Sequence, residues 1–169
     1  MKRQDEIFRE WADEFKGVIY KIAHAYARTP EDREDLVQEI FYQVWASIPS
    51  FKGNSRPSTW IYRVALNSAL TWQRKDRRRP RSFDVAALAS EPATDQSKDL
   101  ENRELVQQLY KAIYTFSKVD CALALMYLNG LKYAEVAEIL GISESNVAVR
   151  LNRIRKCLSE QIKETNNGS

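Results

Sequence analysis

The chain has 169 residues, 44% of them hydrophobic, and carries 26 Lys and Arg against 23 Asp and Glu, a net charge of +3. That length holds one ordinary domain or two small ones, and with a charged Met1 to Glu10 and no apolar run near the ~18 residues of a membrane span, the expected compartment is the cytoplasm. Cys121 and Cys157 stand alone and His24 is the one histidine, which argues against a metal site, and no nucleophile with a base, phosphate-cradling loop or carboxylate cluster suggests a catalytic residue, an enzyme, a cofactor or a small-molecule substrate.

Charge is uneven along the chain. Residues 1–81 carry +5, residues 82–104 carry −4 and residues 105–169 carry +2. Two mildly basic blocks flanking an acidic connector do not suit a uniform globule. No stretch alternates like a half-buried strand, whereas helical periodicity recurs throughout. The predicted fold is all-α: two small helical domains at 1–79 and 101–165, joined by a flexible linker at 80–100.

The first helix is expected from about Asp5 to Ala27, with Phe8, Trp11, Phe15, Val18, Ile19 and Ile22 turned inward. Thr29 is a fair N-cap and Pro30 suits the first turn of a second helix, where Glu31 and Asp32 complement the positive end of the dipole. That helix runs to about Ser47 and holds Leu36, Val37, Ile40, Phe41, Val44 and Trp45. A loop from Pro49 to Pro57 precedes a third helix from about Ser58, with a possible cap at Ser58 and Thr59, to Arg74. Arg74 to Arg81 contains six basic residues, and residues 82–100 have the Ala, Ser, Asp, Pro and Thr content of a linker. Further helices are expected near Asp99 to Phe116 and Val119 to Leu128.

Tyr133 to Ile162 reads as a helix, a glycine turn and a longer basic helix. In the longer helix Val147, Leu151, Ile154, Leu158 and Ile162 form an apolar seam, and Ser145, Val149, Asn152, Arg153 and Lys156, flanked by Arg150 and Arg155, form the opposite face. Tyr133, Val136, Ala137 and Leu140 are the buried side of the shorter helix. Gly141 stands where a left-handed residue is needed and Ser143 where the second helix wants its cap. Periodicity alone is equally served by a solvated face on a core element, but the turn and the cap favour a DNA-binding pair.

Asp35-Leu36-Val37-Gln38-Glu39, Phe51-Lys52-Gly53 and Trp60-Ile61-Tyr62-Arg63-Val64-Ala65-Leu66-Asn67 resemble region 2 of bacterial sigma factors of the extracytoplasmic-function group. Gly130-Leu131-Lys132-Tyr133-Ala134-Glu135-Val136-Ala137 with Gly141-Ile142-Ser143 is similar to region 4 of the same group. The resemblance implies a subunit that binds RNA polymerase core and directs promoter-specific initiation. It would read the −35 element with the C-terminal domain, and the −10 element, which it helps to open, with the N-terminal one. A stand-alone helix-turn-helix regulator is the alternative that the C-terminal domain alone would allow.

The resemblance implies that Asp35, Leu36, Gln38 and Glu39 dock on the clamp helices of the polymerase β′ subunit, with the β subunit also in contact. For −10 capture it points to Lys52, Asn54, Ser55, Arg56, Tyr62, Arg63 and Asn67, with Tyr62 or Trp72 a better candidate for exposed stacking than Trp60. Arg74, Lys75, Arg77 and Arg78 would hold phosphates. The −35 set is Ser145, Asn146, Val149, Arg150, Asn152, Arg153 and Lys156. Relatives commonly carry a basic residue and a serine where Ala148 and Val149 stand here, so Val149 would contact a thymine methyl or specificity would rest on Arg150, Asn152 and Arg153. Pro57 and the Phe116-Ser117-Lys118-Val119 stretch also depart from the pattern. An anti-sigma factor is the expected silencing partner, and the free chain is expected to be a monomer. The 21 residues from Pro80 to Leu100 span at most ~70 Å, enough for two sites ~50 Å apart, about one and a half helical turns.

Overall fold

Helical spacing of apolar residues is realised as seven α-helices in the computed structural model, which describes residues 2–76 and 100–167. They are α1 (Lys2–Tyr26), α2 (Pro30–Ser47), α3 (Pro57–Asp76), α4 (Leu100–Tyr114), α5 (Lys118–Leu128), α6 (Tyr133–Leu140) and α7 (Glu144–Asn167), with a short 3-10 turn at Ile48–Ser50. No strand occurs among the described residues. Arg77, Arg78 and most of the expected linker lie outside them.

In the first domain α1, α2 and α3 pack on one another around Ile19, Ile22, Leu36, Ile40, Val44 and Ile61. Thr29 caps α2 as expected, its Oγ1 accepting from the Asp32 N–H at 3.1 Å, with Pro30 in the first turn. Aromatic edges close the upper end: Phe51 meets both Trp11 and Trp60 in edge-on contacts, and the Trp60 indole N–H donates to Ser47 Oγ at 3.1 Å. Trp60 is therefore a packed side chain, as the sequence suggested.

Pro57 corrects one expectation. It is the first residue of α3, where its fixed φ and missing N–H fit the first helical turn, so Ser58 and Thr59 lie inside the helix and do not cap it. The loop ends at Arg56, whose carbonyl accepts from the Trp60 N–H.

In the second domain α5 is buried at six successive positions, Cys121 to Met126, because α4, α6 and α7 all pack against it. A helix apolar all round shows no stripe. Ser117 caps it, accepting from the Asp120 N–H at 3.2 Å. Burial pushes the Cys121 thiol up to about 12, so it is protonated and inert at neutral pH.

The domains also meet each other, α1 against α4 and α5 and α3 against α6. Tyr26 Oη donates to the Lys118 carbonyl at 3.0 Å and Lys21 Nζ to Asn129 Oδ1 at 2.8 Å. His24 packs edge-on against Tyr110 with ring centroids 4.3 Å apart. Burial, and then the nearby Arg33 charge, lowers its pKa to about 4 from 6.5. A depressed histidine binds its proton more readily in the unfolded chain, so stability is full above pH ~6.5 and falls as the pH drops toward 4. Urea midpoints should fall over that window, corresponding to a loss of up to ~3 kcal/mol, and His24→Gln should flatten this component.

Candidate nucleic-acid interface

The helix pair forms as its turn chemistry requires. Gly141 ends α6 at φ 67°, a left-handed conformation costly for a residue with a Cβ. Ser143 Oγ then accepts from the Asn146 N–H at 3.2 Å and caps α7. Lys132 starts α6, and its backbone N–H donates to Glu135 Oε2 at 2.8 Å.

Val147, Leu151 and Ile154 are buried along the inner seam of α7, with Leu158 and Ile162 half-buried beyond them. The outer face is open: Val149 is 70% exposed and the Arg153 side chain 69%, with Ser145, Asn146, Asn152 and Lys156 exposed around them. Arg155 lies over the Tyr127 ring, 5.8 Å from its centroid. Arg150 differs from the rest. Its side chain is 33% exposed and bonded to Asp120 Oδ1 at 2.9 Å and Asn146 Oδ1 at 3.1 Å.

On the first domain Lys52 and Asn54 are exposed in the loop before α3, Ser55 is half-buried beside them, and Gly53 makes the bend at φ 73°. Asn67, Arg74 and Lys75 are exposed along α3. Arg56 and Arg63 are engaged by the other domain: Arg56 Nη1 bonds Glu135 Oε1 at 3.0 Å, and Arg63 Nη2 donates to the Glu138 carbonyl. Between them lies a cleft of about 140 Å³ lined by Thr59, Tyr62, Leu131, Glu135 and Ile139.

Tyr62 lines that cleft at 3% exposure, its hydroxyl without a hydrogen-bond partner and its pKa pushed up to about 12 by burial and by the Glu135 charge. The expectation of an exposed stacking ring is therefore corrected, because α6 covers it. Trp72 is half-buried, its indole N–H without a hydrogen-bond partner. Ile139 is buried for the same reason, although the sequence pattern did not place it inward.

On α2, Asp35 and Gln38 are exposed, and Glu39 is half-buried and accepts from Gln43 Nε2 at 2.8 Å. Leu36 is 0% exposed. It belongs to the core beneath this face and not to a docking contact. Asp120, Ser117 and Glu135 were not singled out by the sequence. The spacings Ser117-x-x-Asp120 and Lys132-x-x-Glu135 hint at the caps, but nothing local signals their bonds to distant arginines.

Two helical domains, the second ending in a helix-turn-helix with a polar and basic outer face, define a DNA-binding protein. Residues 11–79 match the family model for sigma-70 region 2, and residues 117–158 match that for sigma-70, region 4. The chain is 32% identical over 141 residues to the ECF RNA polymerase sigma-E factor of Escherichia coli (strain K12), covering 78% of this chain and 74% of that protein. It is 28% identical over 177 residues to the ECF RNA polymerase sigma factor SigW of Bacillus subtilis (strain 168), covering 96% and 92%. The chain belongs to the sigma-70 family, in its extracytoplasmic-function group, and is a sigma factor that directs promoter-specific transcription.

Two solved structures share the fold. The sigma factor RpoE in complex with the anti-sigma factor NepR from Bartonella quintana superposes with TM-score 0.74 at 24% identity, covering 94% of this chain and 98% of that one. CnrH, in complex with the cytosolic domain of CnrY, superposes with TM-score 0.69 at 18% identity, covering 95% and 90%.

Proposed function

We propose that residues 1–79 bind RNA polymerase core through Asp35, Gln38 and Glu39 and capture −10 DNA with Lys52, Asn54, Ser55, Arg56, Arg63 and Asn67. Residues 101–165 read the −35 element with the outer face of α7, and residues 80–100 join the two. The observation that carries this is α7 itself: its seam is buried and its opposite face, Ser145 to Lys156, is left open and cationic. Arg74 and Lys75 at the end of α3 hold phosphates, and Arg77 and Arg78 extend the same run. The chain recognises DNA without catalysing a reaction and acts in the cytoplasm; among the described residues no helix is long and apolar enough to cross a membrane. RpoE is in complex with the anti-sigma factor NepR and CnrH with the cytosolic domain of CnrY, and an anti-sigma factor is proposed for this chain also.

The domain contact and promoter binding exclude each other. Arg63 bonds the Glu138 carbonyl and Tyr62 lies under α6, so both are held at the domain contact, whereas Arg56 pairs with Glu135 but stays 76% exposed. Forming the polymerase complex therefore separates α3 from α6. Transcription with purified core enzyme tests the function: promoter-dependent initiation is expected, and absence of both core binding and initiation would refute it. A stand-alone regulator would instead bind palindromic duplex DNA as a dimer without polymerase.

A further inference from the structure

Asp120 stands in the first turn of α5, 30 residues before Arg150, with its side chain 13% exposed. Both of its oxygens are used. Oδ1 accepts from Arg150 Nη1 at 2.9 Å, and Oδ2 accepts from Ser117 Oγ at 2.9 Å and from Arg153 Nη2 at 3.3 Å. Arg150 passes the constraint on, donating from Nε to Asn146 Oδ1 at 3.1 Å. A guanidinium carries donors only, so the atom of Asn146 turned toward it must be the carbonyl oxygen. The amide NH2 is left for the outside.

The geometry points to Asp120 as the positioning residue for base readout by α7: through Arg150 it holds Asn146 with its amide NH2 turned toward the DNA. The inference rests on α7 being the −35 reader. Asn146 is in the first turn of α7, the part of a recognition helix that meets base edges. Asparagine reads adenine with both ends of its amide, the carbonyl accepting from N6 and the NH2 donating to N7. With one lone pair of Oδ1 taken by Arg150 and that oxygen turned toward the guanidinium, the two-ended adenine pairing is disfavoured for Asn146. It donates instead to an acceptor edge, guanine N7 or O6 or thymine O4.

Arg150 and Arg153 take different parts in this arrangement. Arg150 is held on two sides and serves as a strut. Arg153 keeps one long bond to Asp120 and remains 69% exposed, so it is oriented yet free to reach a base or a phosphate. An ion pair as exposed as that of Arg153 contributes little to stability, and its effect falls on the geometry of the reading face. The carboxylate also sets negative charge beside this face, which weakens attraction to phosphates of any sequence.

The test uses holoenzyme assembled from the full chain and polymerase core, offered duplex DNA randomised over the −35 element, with the bound fraction sequenced. Asn146→Ala and Arg153→Ala first identify the base pairs that each side chain reads. At the Asn146 position the wild type should prefer guanine or thymine over adenine by about tenfold. Asp120→Asn should reduce that preference to within about twofold, and Arg150→Gln, which cuts the relay from its other side, should relax the same position. Binding of a fixed mixed-sequence duplex by Asp120→Asn should not weaken, and its salt slope should steepen by up to about one. Adenine selected at the Asn146 position, or Asp120→Asn weakening all sequences alike with preferences intact, would overturn the proposal. If neither Asn146→Ala nor Arg153→Ala changes any preference, Asn146 is not a base reader and the proposal is overturned, whereas loss of every −35 preference in the wild type itself would overturn α7 as the reader.

Discussion

Charge reversal at Asp35 and Glu39 together, as Asp35→Arg with Glu39→Arg, should weaken association with RNA polymerase core by at least about 100-fold, because opposing charges at an interface cost about 2–5 kcal/mol where a pair is lost. The two carboxylates are four residues apart on the outer side of α2, with Gln38 exposed between them. Neither supports the packing below. Surface changes of this kind stay within about 0.5 kcal/mol in stability, so the melting temperature should hardly move while core binding, followed by fluorescence titration, is lost. Unchanged affinity in the doubly reversed chain would remove α2 as the docking helix.

The neighbouring residue should behave in the opposite way. Leu36→Ala deletes a side chain with no exposure from the centre of the first domain, and such truncations cost about 2–5 kcal/mol through lost transfer energy and the cavity left behind. In a domain this small that is a large share of total stability. Urea unfolding should show the loss directly, and any polymerase defect should track the folded fraction. A stable Leu36→Ala protein that fails to bind core would show that Leu36 touches the polymerase after all.

Asp35 and Leu36 are neighbours in sequence, yet the first is exposed and the second is buried. The helices were legible because their signals are local: Thr29 with Pro30, Gly141 with Ser143, and apolar residues at three- and four-residue steps all act within one or two turns. The open face of α7 was legible for the same reason, since its seam fixes its opposite side. Leu36 was assigned both to the core and to docking, because the motif that marks it does not distinguish an inward side chain from its outward neighbours. Pro57 was placed in the loop, although its chemistry suits the first turn of a helix as well.

Contacts between distant segments carried no such signal. Tyr62 and Ile139 are buried by one another's domains, and period alone cannot show that a second domain covers a face. The bonds from Asp120 to Arg150 and Arg153 join a helix start to a helix thirty residues on. They depend on how α5 packs against α7. The same holds for Glu135, which closes the first turn of α6 with one oxygen and holds Arg56 with the other.

On the function proposed, two domains of one chain read two promoter elements at the same time within the polymerase complex. Footprinting of the holoenzyme on a promoter, combined with permanganate probing of unpaired thymines, measures this most directly. Two protected segments are expected about one and a half helical turns apart, ~50 Å, with reactive thymines at the downstream one and protection at the upstream one lost in Arg153→Ala. A single protected palindrome that forms without core enzyme, or protection with no unpaired thymines, would contradict it.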